Sequence, residues 1–315
     1  MREHARTVRS IAAPLALALT LTLAGGAAAG SARQDWNGGD GRHGMTAFKT
    51  EAVAKTWRAA DPAKPVALIV DNLSGPITVE AANGPDIVLE AKKTVFARDE
   101  ARAAKAEEEV RLDLTQKGNT VEAYVDGPFR EKDGDRRQGD LHVRRDPGYM
   151  VRYAFTVRVP VKTDLVLKTV IDGDIVVRGV EGAFDVRNVT GKVRLLDAAG
   201  SGEAHSVSAG VTVDFRRPPA GPCTFQSVSG DVEVDLPVPP SADVQFKTMN
   251  GEVYSDFEVT RLPQPVPVKS EGARSEGGRY RYHNNGYNAV RVGQGGPAIT
   301  LETLTGDILI ARRSK

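Results

Sequence analysis

The sequence predicts an all-β fold, a single-domain β-solenoid with one short helix and two inserted loops. Three observations predict it. A short phrase recurs along the chain, the apolar residues in it alternate with period two, and its copies are almost evenly spaced. The phrase reads Ile171-Asp172-Gly173-Asp174-Ile175-Val176-Val177. It returns as Val228-Ser229-Gly230-Asp231-Val232-Glu233-Val234 and as Leu304-Thr305-Gly306-Asp307-Ile308-Leu309-Ile310.

Take the glycine as reference. Two residues before it stand Leu73, Ile171, Val189, Val207, Val228, Met249 and Leu304. Two after it stand Ile77, Ile175, Val193, Val211, Val232, Val253 and Ile308, and four after it Val79, Val177, Leu195, Val213, Val234, Ser255 and Ile310. The residue three after is mixed: Thr78, Val176, Arg194, Thr212, Glu233, Tyr254 and Leu309. These apolar positions form one alternating set, the pattern of a half-buried strand. The central dipeptide is Ser-Gly, Asp-Gly, Thr-Gly or Asn-Gly, which is turn chemistry. Ala209 takes the glycine place in one copy, with Gly210 after it, and a different turn is expected there.

Successive copies lie 18, 18, 21 and 21 residues apart from Gly173 through Gly191, Ala209 and Gly230 to Gly251. Each period holds a second apolar run, such as Ala183-Phe184-Asp185-Val186 or Val244-Gln245-Phe246. Two or more short strands per period, stacked about 4.8 Å apart, give ladders of Val and Ile inside. A single winding cannot bury its own apolar face, so stability comes from neighbours. The alternative is a β-sandwich of regular hairpins, which gives no reason to repeat one phrase at one depth.

Residues 1–32 read as a signal peptide. Arg2, Arg6 and Arg9 open it, Ile11 to Ala24 is apolar, and Ala27-Ala28-Ala29 or Gly30-Ser31-Ala32 is a small-residue cleavage site. The apolar run is short for a membrane span. The leader has no cysteine at the cleavage point for lipid attachment and no consecutive Arg pair for a twin-arginine route. No later segment is apolar enough to cross a bilayer. The expected location is therefore outside the cytoplasm, in the periplasm or at the cell surface. Formal charge is +1, and removal of residues 1–29, with three Arg and one Glu, leaves −1. A nearly neutral chain argues against nucleic acid as a partner. Cys223 is the only cysteine, so no intramolecular disulfide forms, and its parity with Phe225 makes it a small buried apolar residue.

Residues 33–61 form an N-terminal extension, Gly-rich at first and then mixed, with Trp57 expected against the first winding and Trp36 in a tail. The β-solenoid domain covers 62–315. Residues 65–70, 75–79 and 87–96 read as strands of its first winding. Arg98 to Val110 is rich in Ala and long charged residues and reads as a helix, with Asp99 as N-cap and Glu107 set to pair with Arg111. Such a helix suits the covering of an open sheet edge. Residues 110–125 resume alternation around a Lys117-Gly118-Asn119 hairpin turn. Arg130 to Asp146 is a dense mixture of charges and reads as a surface loop. Met150 to Val159 alternates again. Residues 261–278 read as a second loop, and 279–292 as a hairpin at Asn284-Asn285-Gly286. Tyr280, Tyr282, His283 and Tyr287 on that hairpin are the candidate binding residues, for a sugar or a protein surface; ordinary cross-strand aromatic pairing is the competing explanation. Ala298 to Arg312 reads as the last winding.

Catalytic and metal signatures are absent. His4, His43, His142, His205 and His283 show no ligand spacing, and there is no nucleophile elbow or phosphate-binding loop. Gly293 to Gly296 lacks the helix that dinucleotide binding needs. Asp174, Asp231, Glu252 and Asp307 follow the repeat glycine and could line one edge as a Ca²⁺ ladder, but Lys192 and Gly210 interrupt it, so turn-favouring acids facing water are expected. Asp172, Asp174 and Asp185 are near in sequence, yet alternation does not bring them together as a glycosidase pair. No cofactor, metal or catalytic residue is expected.

The phrases around Gly173, Gly230, Gly251 and Gly306, with Gly295-Gly296-Pro297 leading into the last, resemble the putative-adhesin domain family of bacterial exported proteins over roughly residues 65–312. That resemblance implies a β-solenoid with a cell-envelope or adhesive role and brings no catalytic residues. The expected function is a non-enzymatic exported cell-envelope binding or structural module, with an envelope protein or glycan as partner. A carbohydrate-active lyase or hydrolase on the same scaffold is the alternative.

Overall fold

Val, Ile, Phe and Thr fill alternate positions of most segments, and their branched or flat side chains pack best on a pleated surface. The computed structural model describes residues 44–61, 64–130, 147–263 and 287–314, all within the unit Gln34–Lys315. Among the described residues the fold is all-β with one helix. The strands run β1 (Thr46–Arg58), β2 (Val66–Asp71), β3 (Ile77–Ala82) and β4 (Asp86–Ala97), followed by α1 (Glu100–Glu109). Then come β5 (Arg111–Lys117), β6 (Thr120–Asp126), β7 (Tyr149–Pro160) and β8 (Thr163–Thr169). The regular part holds β9 (Ile175–Arg178), β10 (Phe184–Asn188), β11 (Val193–Ala198), β12 (Gly202–Ser206), β13 (Val211–Phe215), β14 (Cys223–Ser229) and β15 (Val232–Leu236). The C-terminal part adds β16 (Ser241–Asn250), β17 (Val253–Ser255), β18 (Val259–Arg261), β19 (Asn288–Gly293), β20 (Ala298–Thr305) and β21 (Ile308–Arg312).

Two open sheets result. The first is ordered β1-β4-β7-β3-β9-β11-β13-β15-β21-β17, the second β18-β19-β16-β20-β14-β12-β10-β8-β2-β6-β5. Neither closes into a barrel. From β8 to β15 the chain alternates between them, so one strand of each sheet and the corner joining them make one layer. Neighbouring layers pair parallel and in register. Ile77, Ile175, Val193, Val211, Val232 and Ile308 are successive partners in the first sheet, and each is fully buried. In the second sheet Val70, Leu167, Val186, Ala204, Phe225 and Leu301 form a like column facing them. Phe225 fills the space between sheets, with ring centroids 6.3 Å from Phe184 and 6.1 Å from Phe215. Each Val, Leu, Ile or Phe of these columns contributes roughly 1.5–3 kcal/mol by leaving water.

The corners hold a polar ladder. Three residues before the repeat glycine, a hydroxyl or amide points inward and donates to the corner carbonyl of the preceding layer. Asn188 Nδ2 donates to Gly173 O (2.8 Å), Ser206 Oγ to Gly191 O (2.9 Å), Ser227 Oγ to Ala209 O (2.9 Å) and Thr303 Oγ1 to Gly230 O (2.9 Å). Thr169 Oγ1, one residue earlier in its copy, does the same for Gly75 O at 3.0 Å. A corner bends its carbonyl out of the sheet ladder, and a buried carbonyl requires a donor. Thr, Asn and Ser recur at these places for that reason.

The acids after the glycine also have a role in stacking. Asp174 Oδ1 accepts from the Lys192 N–H (2.9 Å), Asp231 Oδ1 from the Asp307 N–H (2.8 Å), and Asp307 Oδ1 from the Glu252 N–H (2.9 Å). They tie one layer to the next rather than simply facing water. Cys223 is buried, as its parity predicts.

Several expectations change at the ends of the stack. The Gly306 phrase was expected to be the last winding. It lies instead between the Gly230 and Gly251 layers: β20 separates β14 from β16, and β21 separates β15 from β17. At the other end β4 does not continue the first winding but runs antiparallel to β7, while β7 and β6 flank β3 and β2 in parallel. The helix forms where expected, and Asp99 caps it by accepting from the Arg102 N–H at 2.8 Å. It packs on β4, β7 and β1, with Ala103 and Ala106 buried, so it covers a sheet face and not only an edge. Glu107 pairs with Lys49 (3.1 Å) and Lys93 (3.5 Å), not with Arg111, because those strands lie beneath it. The Lys117-Gly118-Asn119 turn joins β5 to β6 antiparallel. Residues 46–58 add an edge strand, β1, on which Trp57 is buried.

Candidate functional site

The largest departure from the sequence expectation is also a surface feature. Five of the seven residues two before the repeat glycine do not share the inward face, whereas Leu73 is buried. Val189, Val207, Val228, Leu304 and Met249 are 37, 43, 42, 43 and 67% exposed. The cause is local. In β14 the inward residues are Cys223, Phe225 and Ser227, so Val228 points out with Gln226. After the corner Val232 points in again. Ser227 and Val232 are five residues apart, an odd number, so alternation is reset where the chain changes sheets.

Because the layers are in register, these five side chains form one row. The order along it is Val189, Val207, Val228, Leu304 and Met249, set by the strand order β10, β12, β14, β20 and β16. Four steps of about 4.8 Å make the row roughly 19 Å long. Five aliphatic side chains in line on an open face form a patch of the kind that marks a contact surface.

A second, polar row runs parallel to it on the same sheet face. Arg187, His205, Gln226, Glu302 and Lys247 are register partners on the same five strands. Between the two rows lies a shallow groove of about 340 Å³, floored by Ser206, Ser227 and Thr303. Glu302 is the hub of the polar row. It accepts from Gln226 Nε2 (3.1 Å) and from Tyr287 OH (2.7 Å) through Oε2, and Lys247 Nζ stands 3.9 Å from Oε1. Lys247 also lies over the Tyr287 ring, 5.7 Å from its centroid. Burial first, then the hydrogen bond to Glu302, pushes the Tyr287 phenol up to about 12. His205 Nε2 is 3.2 Å from Glu203 Oε2. This arrangement leaves the Glu302 carboxylate engaged by three neighbours, which suits recognition better than proton transfer.

Of the four candidate binding residues, Tyr287 stands beside this groove. Tyr280, Tyr282 and His283 lie outside the described residues. The aliphatic row was missed because its residues were placed in the inward set. The signal that separates the two is the hydroxyl or amide at the preceding position, Asn188, Ser206, Ser227, Thr248 or Thr303, which marks an inward place next to the corner.

Carboxylates gather elsewhere, on the outer face of the first sheet. Asp235 is register partner to Asp214. Burial, with Glu233, Asp214 and Asp256 nearby, raises its carboxyl to about 6, and Arg313 opposes the rise. Arg313 Nε is 2.8 Å from Asp214 Oδ1 and its Nη2 is 2.7 Å from Asp197 Oδ1. Among the described residues no group of three or more His, Cys, Asp or Glu side chains is placed to hold a metal ion. No described helix is long and apolar enough to cross a membrane.

No family model matches the chain, and no curated protein matches it. Solved structures do resemble it. A putative cell adhesion protein from Clostridium sporogenes is 12% identical over 84% of this chain and 100% of its own, at a TM-score of 0.43. A putative adhesin from Bacteroides fragilis is 10% identical over 82% and 96%, at 0.29. A putative lipid binding protein from Parabacteroides distasonis is 13% identical over 82% and 96%, at 0.28.

Proposed function

We propose that the protein is a non-enzymatic, exported β-solenoid of the cell envelope, and that it binds through the aliphatic row and the groove beside it. In this reading residues 1–32 are removed on export, 33–61 lead into the domain, and 62–315 form the solenoid. The parallel, in-register columns support the solenoid: each strand of the regular part has its equivalent from the next period as neighbour.

The observation that carries the binding reading is the exposure of Val189, Val207, Val228, Leu304 and Met249 at one place in successive layers. Side chains left in water give the fold little, yet five layers keep an aliphatic one there. The row suits an apolar segment of an envelope protein better than a glycan, since sugar faces stack on aromatic rings and the row has none. Gln226 and Lys247 beside it can meet polar groups of the same partner. Tyr280, Tyr282 and His283, just before Tyr287 in the chain, belong to the proposed contact set.

The test is a triple variant, Val228→Ser with Leu304→Ser and Met249→Ser. Wild type and variant are cross-linked in envelope extracts and screened on glycans. The expected result is loss of a specific protein partner with the melting temperature within about 3 °C, as surface changes of this kind cost little. Unchanged partners at unchanged affinity would refute the reading.

A further inference from the structure

The first sheet ends in a strand whose outer edge has no partner among the described residues. That strand, β1, is long: its 13 residues pair with β4 from Thr46 to Arg58. A long exposed edge is a template for another strand, and proteins commonly blunt such an edge with charge. Here the charges are ordered in a way that does more than repel. By alternation from the buried Trp57, one face of β1 carries Lys49, Glu51, Val53 and Lys55.

We propose that β1 pairs antiparallel with β1 of a second copy of this chain, about a two-fold axis through Val53, joining two ten-stranded sheets. A two-fold perpendicular to the sheet keeps each face on its own side, so only residues of like parity meet. With Val53 on the axis, each Glu51 lies opposite the second copy's Lys55, and this happens twice. Thr50 lies opposite Thr56 and Val53 opposite itself. Lys49 lies opposite Trp57.

Neighbouring registers fail. Centring on Ala52 sets Lys49 against Lys55, centring on Glu51 sets Glu51 against itself, and centring on Lys55 sets Lys55 against itself. Centring on Ala54 brings no opposite charges together. Like charges directly opposite destabilise a strand pair and opposite ones stabilise it. Centring on Thr50 also sets Lys49 against Glu51, but it pairs only residues 46–54 and runs through the irregularity between Ala47 and Lys49, whereas the Val53 centre pairs 48–58, so charge and overlap together select one register. Its groups are available. Among the described residues Lys55 Nζ donates to Leu114 O at 3.4 Å and lies 5.0 Å from the Trp57 ring centroid, while Glu51 is engaged by Lys49 of its own strand. Val53 is 37% exposed. Pairing here leaves the aliphatic row free, because that row stands on the other sheet.

The experiment is sedimentation equilibrium on protein purified from cells expressing the full chain, with circular dichroism to confirm folding of each variant. Wild type is expected to be a dimer. Glu51→Lys and Lys55→Glu each turn two attractive pairs into repulsive ones and are expected to weaken the dimer by about tenfold or more. The double variant Glu51→Lys with Lys55→Glu restores opposite charges and is expected to return to within about threefold of wild type. A monomeric wild type at about 100 µM overturns the proposal. So do single variants that dimerise as well as wild type, and so does a double variant no better than the singles. These outcomes do not bear on the groove, whose partners are tested separately.

Discussion

Replacing Gly191 by Ala tests the stacking at a tight corner. A methyl built on Gly191 would lie 2.0 Å from Gly173 O and 2.8 Å from Asn188 Nδ2. Ordinary contact begins at 3.4 Å, so the carbonyl would have to retreat by about 1.4 Å, the difference of the two distances. Layers spaced about 4.8 Å apart have no such slack. The retreat would also stretch the 2.8 Å bond from Asn188 to Gly173 O and the 2.9 Å bond from the Ile175 N–H to Lys192 O. Overpacking costs about 1–3 kcal/mol, and each strained hydrogen bond up to about 1 more, for roughly 3 kcal/mol in all. In a chain of this size that lowers the melting temperature by about 6–12 °C. Ala209 occupies the equivalent place in the next layer, so a methyl there is compatible with a layer built around it; the Gly191 backbone is not so placed. Gly221→Ala is the control. Its nearest neighbours are Ser201 Oγ at 3.2 Å and Cβ at 3.7 Å, a side chain that can turn away, so the cost is within about 0.5 kcal/mol. Calorimetry and urea titration of both variants decide the matter. If Gly191→Ala were no less stable than Gly221→Ala, the corners would not be in contact and the stacking argument would fail.

Ser227→Ala removes the donor to Ala209 O and leaves a part-buried carbonyl unmet, at about 1 kcal/mol by urea titration, while exposed Ser229→Ala changes stability by less than about 0.5. Asp235 has a carboxyl raised to about 6 in the folded protein against its ordinary 3.8, so its ionisation opposes folding progressively as pH rises through that interval and fully above it. Asp235→Asn is therefore expected to stabilise by about 1 kcal/mol at pH 7.5, after allowance for solvent screening, and to have no effect near pH 3.5; an equal gain at both would refute the assignment. Burial pushes the Cys223 thiol up to about 11, so at pH 8 it should react with a thiol reagent far more slowly in the native protein than in urea, by at least about a hundredfold. Equal rates would place Cys223 outside the core.

The helix was legible residue by residue, because its causes are local: an N-cap at Asp99, Ala at 103 and 106, and long side chains between. So were the strands around each repeat glycine, since turn chemistry and alternation both act within a few residues. The partner of Glu107 was not, because the helix-surface rule yields when Lys49 and Lys93, far away in sequence, are brought beneath the same carboxylate. Tyr287 was legible as a candidate, but its place beside Glu302 and Lys247 depends on strand β20 lying next to β16.

The sequence by itself determined that β-strands meet at glycine corners and that Ile175, Val193, Val211 and Val232 are equivalent. Two things were left to the tertiary structure. The direction of Val228 and its equivalents follows from an odd step between inward residues across the corner, and counting by twos along the chain cannot see that step. The position of the Gly306 layer inside the stack follows from which free edge it pairs with, and edges carrying nearly the same phrase look alike until distant strands are in place.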